Sequence, residues 1–286
     1  LTVVDRDYVE VSNLQRQMLF DEDDAAQALP KAVAAERHLQ RINSDVAVEG
    51  CLADVTPDNV EEILAGAGVV LDGTDNFETR YLLNDACVKL AIPWVYAAAV
   101  GSYGATMPVL PGRTACLACL FPEPPAAPGE TCDTVGILNS AAAAIAALQV
   151  ADALKILCGA LDRVEPRLLT LDVWENRVQA VRAGAPAPDC PACGRHEFRH
   201  LAAQQRSAVR LCGRNAIQVH EQYRSLDLVA LRARLEPLGQ VRGNDFLLQF
   251  SVPPCQITLF RDGRAIIKGT EDPAVARSLY ARYIGA

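Results

Sequence analysis

The sequence predicts an α/β protein: a doubly wound, mostly parallel sheet with a structural zinc site, followed by a small C-terminal α+β domain. Three observations predict it. Short apolar or β-branched runs alternate with stretches of helical spacing from residue 1 to about residue 100. Two Cys-x-x-Cys pairs, Cys116/Cys119 and Cys190/Cys193, are separated by 70 residues. A Pro-rich stretch, AGAPAPDCPACG, then precedes a tail of different pattern.

Leu1 to Val4 is a β-branched run ending at Asp5, as in a buried parallel strand. Pro30 stands where a first helical residue belongs, and Lys31 to Ile42 follows at helical spacing. Val46 to Val48 is the next expected strand. Thr56 and Pro57 form an expected cap and first turn for a helix running to Leu64. Val69 to Asp72 is a strand, Phe77 to Leu90 a helix, and Trp94 to Val100 a strand. Asp5, Asp54 and the Thr74-Asp75-Asn76 turn therefore fall at carboxyl ends of strands, where such sheets bind ligands. Gly104 to Leu110 adds a strand, and FPEPPAAPG marks a loop or crossover. The Ala-rich run from Ala141 to Leu157 carries Gln149, Asp152 and Lys155. It falls short of the roughly 20 strongly apolar residues of a membrane span, so a buried helix is expected. Arg167 to Asp172 and Arg177 to Val181 are expected strands. Beyond about Val209 come a strand at Ile217 to His220, a helix at Leu226 to Leu238, strands at Phe246 to Val252 and Gln256 to Lys268 turning at Asp262-Gly263, and a helix at Pro273 to Tyr283. The expected domains are 1–198 and 207–286.

Half of the residues are apolar, enough for a sizeable core, and the net charge is −8. That balance argues against an extended nucleic-acid surface, which needs clustered Lys and Arg, while a nucleotide site needs only two or three cations and a metal. The ten cysteines lack the density of a disulfide-stapled domain. The two Cys-x-x-Cys pairs suit four-thiolate structural zinc, with redox dithiols or disulfides as the alternatives.

The order Ser12-Asn13-Leu14-Gln15-Arg16-Gln17, Leu29-Pro30-Lys31, Leu71-Asp72-Gly73-Thr74-Asp75-Asn76 and the two cysteine pairs resembles the ThiF/MoeB/HesA family, relatives of the ubiquitin-activating enzymes, over about residues 1–195. The resemblance implies a Rossmann-like fold that uses ATP to adenylate the C-terminal glycine of a ubiquitin-like sulfur-carrier protein. The nucleotide set is then Asp5, Ser12, Asn13, Gln15, Arg16, Lys31, Asp75 and Asn76. Asp5 suits the ribose hydroxyls or, alternatively, a cap. Arg16 and Lys31 suit the triphosphate, Arg as a fork and Lys as a point charge. Lys31 lies in the first turn of its helix, where the macrodipole disfavours a cation, so an anionic partner is expected there. Asp75 matches the family's Mg²⁺-holding aspartate, Asp72 is expected to be structural, and Arg80 to lie beside these carboxylates or in solvent. Cys132 matches a cysteine that in related enzymes receives the activated carrier.

The family's Gly-rich loop and an arginine lent across its dimer would lie before Leu1, so an N-terminal truncation is expected, with weak ATP binding by residues 1–286 alone. The motifs look closest to thiamine-type members with a C-terminal extension. That implies a ThiS-like carrier, with a MoaD-like one for molybdopterin synthesis open, a sulfur donor such as a cysteine desulfurase, a homodimer and a cytoplasmic location. Two other readings stay open: a nicotinamide-dependent oxidoreductase, which leaves Arg16, Lys31 and the thiolates unexplained, and a non-catalytic carrier-binding scaffold.

Overall fold

A computed structural model describes residues 1–124, 135–203, 208–211, 215–220 and 225–285. They form two compact units, one of Leu1–Asp54 with Arg206–Ala286, the other of Val55–Gln205.

In the first unit, β1 (Thr2–Asp5) pairs in parallel with β2 (Glu49–Leu52), and α2 (Lys31–Ile42) makes the crossover between them. This strand lies a few residues beyond the Val46–Val48 run expected for it. Its Gly50 allows α2 to come close, because a Cβ there would lie 2.3 Å from the Ala32 carbonyl oxygen. Between β1 and α2 lie a 3₁₀ turn (Val11–Asn13) and the short helix α1 (Glu22–Ala26), capped reciprocally by Asp21 and Asp24.

The C-terminal part of this unit holds β8 (Ala208–Leu211), β9 (Ala216–Val219), α7 (Leu228–Leu235), β10 (Val241–Gly243), β11 (Leu247–Val252), β12 (Cys255–Phe260), β13 (Ala265–Lys268) and α8 (Pro273–Tyr283). The strands form an antiparallel sheet in the order β10-β11-β12-β13-β9-β8. Alternation along each strand divides the side chains between two faces. Ile217, Phe250, Ile257, Leu259 and Ile267 pack with Leu231, Leu235 and Tyr280 of the helices. Ala216, Leu247, Phe260 and Ile266, on the other face, cluster with Tyr8, flanked by Ala28 and Leu52. The chain divides between Gln205 and Arg206, in the expected gap between 198 and 207, but Leu1–Asp54 groups with the C-terminal part and not with Val55–Gln205. A sheet apolar on both faces needs cover on both, and residues 1–54 supply the second layer.

The second unit holds α3 (Val60–Leu64), β3 (Val70–Leu71), α4 (Phe77–Lys89), β4 (Trp94–Val100), β5 (Tyr103–Val109), α5 (Leu117–Leu120), α6 (Asn139–Leu157), β6 (Arg167–Asp172) and β7 (Arg177–Arg182). The sheet order is β3-β4-β5-β6-β7, parallel between β3 and β4 and antiparallel beyond. The expected cap at Thr56 is displaced. Asn59 and Val60 donate backbone bonds to the Thr56 carbonyl, so a turn opens there and the helix starts at Val60. In α4 every residue from Arg80 to Val88 is buried, so the helix is covered all round. The helix expected to be buried over Ala141–Leu157 is only half so. Ala141, Ile145, Gln149, Ala153 and Ile156 face inward, while Leu148, Val150, Leu154 and Leu157 are exposed. By length and composition α6 could cross a membrane, but its inner face is committed to the sheet: a Cβ on Gly104 of β5 would lie 2.3 Å from Ile145.

Candidate nucleotide residues and a four-cysteine cluster

In the first unit the chain leaving β1 runs against the chain entering α2. Val9 donates to the Leu29 carbonyl at 2.8 Å, and Lys31 to the Asp7 carbonyl at 2.9 Å. That zipper brings together Asp5, Asp7 and Lys31. Lys31 is 6% exposed, and its Nζ lies 3.2 Å from Asp7 Oδ2. The anionic partner implied by a cation in a first helical turn is thus Asp7, a residue the sequence reading passed over. Its signal was the Asp5-x-Asp7 spacing. Asp5 Oδ1 accepts the Asp7 N–H at 2.8 Å. Burial pushes the Asp5 carboxyl above its ordinary range; Lys31 opposes that rise, and Asp7 adds to it.

The Ser12–Gln17 segment is less gathered. Asn13 is buried, and its side-chain oxygen accepts the Glu10 N–H at 3.1 Å, which fixes the turn. Arg16, half-buried, donates to the Ser12 carbonyl at 3.2 Å, and Ser12 and Gln15 are exposed.

In the second unit the loop after β3 is built on a buried ion pair. Asp72 Oδ1 accepts from the Thr74 N–H at 2.8 Å and from its hydroxyl at 2.7 Å, while Oδ2 lies 3.4 Å from Arg80 Nε. Arg80 also donates to the Thr74 carbonyl at 2.5 Å and stands over the rings of Phe77 and Tyr96. From α6, Gln149 donates to the Asp72 and Val95 carbonyls at 2.9 and 2.7 Å. Asp72 is structural, as expected, and Arg80 is its buried partner. The loop held this way leaves Asp75 exposed. Asn76 caps α4 by accepting the Thr79 N–H at 2.9 Å, and its amide lies 3.4 Å from Asp75 Oδ1.

Cys116 precedes α5, and Cys190 and Cys193 lie in a turn that Gly194 makes possible, since a Cβ there would sit 2.4 Å from the Pro188 carbonyl oxygen. The four sulfurs of Cys116, Cys119, Cys190 and Cys193 all lie within 4.8 Å of one another. Three pairs stand at 3.8, 3.6 and 3.2 Å. A zinc tetrahedron with bonds of about 2.3 Å has edges of about 3.8 Å, so the donor set fits that ion. Asn84 braces it, accepting the Leu117 N–H at 2.9 Å while its amide approaches Cys116 Sγ at 3.8 Å. Without a metal, burial pushes the Cys116 thiol up to about 12. Cys132 lies outside the described residues.

The ThiF family profile matches residues 1–192. The Sulfur carrier protein ThiS adenylyltransferase of Bacillus subtilis (strain 168) is 47% identical over 287 residues, covering 99% of this chain and 84% of that protein. The Sulfur carrier protein adenylyltransferase of Thermus thermophilus is 40% identical over 67% of this chain and 72% of its own length. Among solved structures, E. coli MccB with MccA-N7isoASN superposes at a TM-score of 0.58 and 22% identity, over 68% of this chain and 59% of that one; this likeness shows the fold alone. An α/β chain with four clustered cysteines, matched by the profile through residue 192, belongs to the ThiF family.

Proposed function

We propose that this chain adenylates the C-terminal glycine of a ThiS-like, ubiquitin-like sulfur-carrier protein in the synthesis of the thiamine thiazole. The observation that carries this reading is the 47% identity to the ThiS adenylyltransferase over 99% of the chain. The carrier's terminal carboxylate attacks the α-phosphate of ATP, pyrophosphate leaves, and an acyl-adenylate remains for conversion to a thiocarboxylate. Positioning and electrostatics suffice, and no general base is needed.

In this reading residues 1–198 act as the adenylyltransferase domain, in keeping with the span of the family match. Asp5 takes the ribose hydroxyls, and Arg16 and Lys31 offset phosphate charge. Ser12, Asn13, Gln15 and Asn76 serve as neutral neighbours of the nucleotide. Asp75, an exposed carboxylate on a braced loop, is suited to a largely hydrated Mg²⁺, which would offset charge building on the phosphate oxygens. The four cysteines would hold a zinc ion that leaves no position open for substrate. Cys132 is the proposed acceptor of the activated carrier, with a cysteine desulfurase as sulfur donor and the cytoplasm as location. A homodimer is supported by the exposed apolar residues Val150, Leu154 and Leu157, whose spacing puts them on one face of α6.

Exchange of labelled pyrophosphate into ATP by the purified protein tests the reaction. Exchange is expected only with carrier present, faster with a ThiS-like than a MoaD-like carrier, and unaltered in Cys132→Ser while thiocarboxylate yield falls. Exchange independent of any carrier would sink the proposal.

A further inference from the structure

The C-terminal sheet and its turns carry polar groups that reach residues 1–54; three of them end on one of two short segments, and a fourth, Gln218, reaches the first segment through Asp54. Lys268, the last residue of β13, pairs with the Glu10 carboxylate and stands over the Tyr8 ring at 5.4 Å, while the Tyr8 hydroxyl donates to Glu10 at 3.2 Å. Arg264, fully buried, is held by Asp262 at 2.8 Å and by the Phe260 ring at 4.4 Å, and its Nη1 donates to the Arg6 carbonyl at 2.9 Å. Gln218 of β9 donates to Asp54, whose other oxygen pairs with Arg6 at 3.0 Å. Asn244, between β10 and β11, donates to the Gln27 and Ala28 carbonyls at 2.8 and 3.2 Å, where Ala28 holds a left-handed backbone of φ 49°.

These contacts grip 6–10 and 27–28. The first segment carries Asp7 and adjoins Asp5; the second leads into Lys31. An exposed loop free to move would hold none of these three charges to better than a few ångströms, because loops held by few contacts open locally at little cost. Here the loop is fixed from outside the residues that the family profile matches, by groups whose own positions are set in a packed sheet.

We propose that the C-terminal sheet is a positioning platform for the Asp5, Asp7 and Lys31 cluster, with Lys268 and Asn244 as positioning residues that set affinity for the nucleotide and leave affinity for the carrier alone. This assigns the extension a part in holding ATP, an assignment that rests on the function proposed above. The platform itself rests on geometry alone.

Two readouts separate them. Amide hydrogen exchange needs no substrate. In Lys268→Met with Asn244→Ala, peptides covering 5–10 and 27–31 are expected to exchange roughly tenfold faster, while 94–109 stays as in the parent. Lys268→Arg should restore the slow rates at 5–10, since a cation at that place is what Glu10 requires. In the exchange assay the same double variant is expected to raise KM for ATP roughly tenfold with KM for the carrier unchanged. Unaltered exchange rates at both segments would overturn the platform. Faster rates with an unchanged KM for ATP, or a KM shift confined to the carrier, would overturn its role at the nucleotide. A parent protein inactive with every carrier counts against the proposed reaction, and hydrogen exchange then decides the platform by itself.

Discussion

Lys31 combines two roles that are hard to separate from sequence. It is one of two cations proposed for the phosphates, and it is the counter-charge of a buried acidic pair. Removing it leaves Asp5 and Asp7 facing each other with little water, which costs about 3 kcal/mol for a broken buried pair. Lys31→Met should show that loss in urea unfolding at pH 7. The pH dependence has a definite sign. The Asp5 carboxyl already sits above its ordinary 3.8 because burial disfavours the charged form. Its ionisation therefore opposes folding, and the stability it contributes is full below the unfolded pKa and is lost as pH rises through the folded one. Without Lys31 the folded value climbs further, so Asp5 is protonated over a wider range. The variant's deficit should accordingly narrow between pH 7 and pH 5; a deficit that stays level or widens on acidification would contradict this account. Asp7 itself carried no motif signal strong enough to stand out. Acidic residues two apart are common, and only the zipper between 7–9 and 29–31 makes this pair a cluster.

At the scale of elements, the cysteine turns and the loop after β3 are braced in different ways. The loop carrying Asp75 depends on Asp72, Arg80 and Gln149, three buried side chains drawn from a strand end, a helix and α6. The cysteine set joins the segment at α5 to the turn at 190–193, with Asn84 of α4 bonded to one side. A metal there has to displace thiol protons, among them one that burial holds on Cys116, so its affinity weakens as the pH drops. About one zinc per chain is expected by elemental analysis, and Cys190→Ser should abolish it and lower Tm by roughly 10 °C. Chelator should strip the ion from the parent faster at pH 5.5 than at pH 8. Retention of full zinc by Cys190→Ser would remove that cysteine from the ligand set. These cysteines were legible early because matched spacing is dictated by the ion's own geometry. The bracing by Arg80 and Gln149 was not, since both are ordinary helical residues until the sheet beneath them is known.

For the molecule as a whole, α6 poses the question of what covers it. Leu154 and Leu157 are 56% and 61% exposed, and Val150 lies near them on the same helix. A second copy of the chain would bury that face. Leu154→Glu with Leu157→Glu is expected to halve the sedimenting mass, and to change unfolding free energy within the protomer by no more than about 0.5 kcal/mol, as for other exposed sites. A parent that sediments as a monomer at micromolar concentration would remove the basis for the proposed homodimer. The sequence suggested a helix buried throughout, because alanine is compatible with either state and periodicity is weak in so uniform a run.

What the sequence determined by itself was the local grammar: β1, α4, β4 and α8 within a residue or so, the α/β class, the family, and the two cysteine pairs. Those follow from periodicity, capping and ligand spacing, which act over a few residues at a time. The tertiary structure alone decided that Lys31 answers Asp7, that Arg80 is buried against Asp72, and that residues 1–54 share a compact unit with the C-terminal sheet. Each of those depends on groups brought together from distant points in the chain, and the energy of a buried charge is set by what surrounds it rather than by its neighbours in sequence.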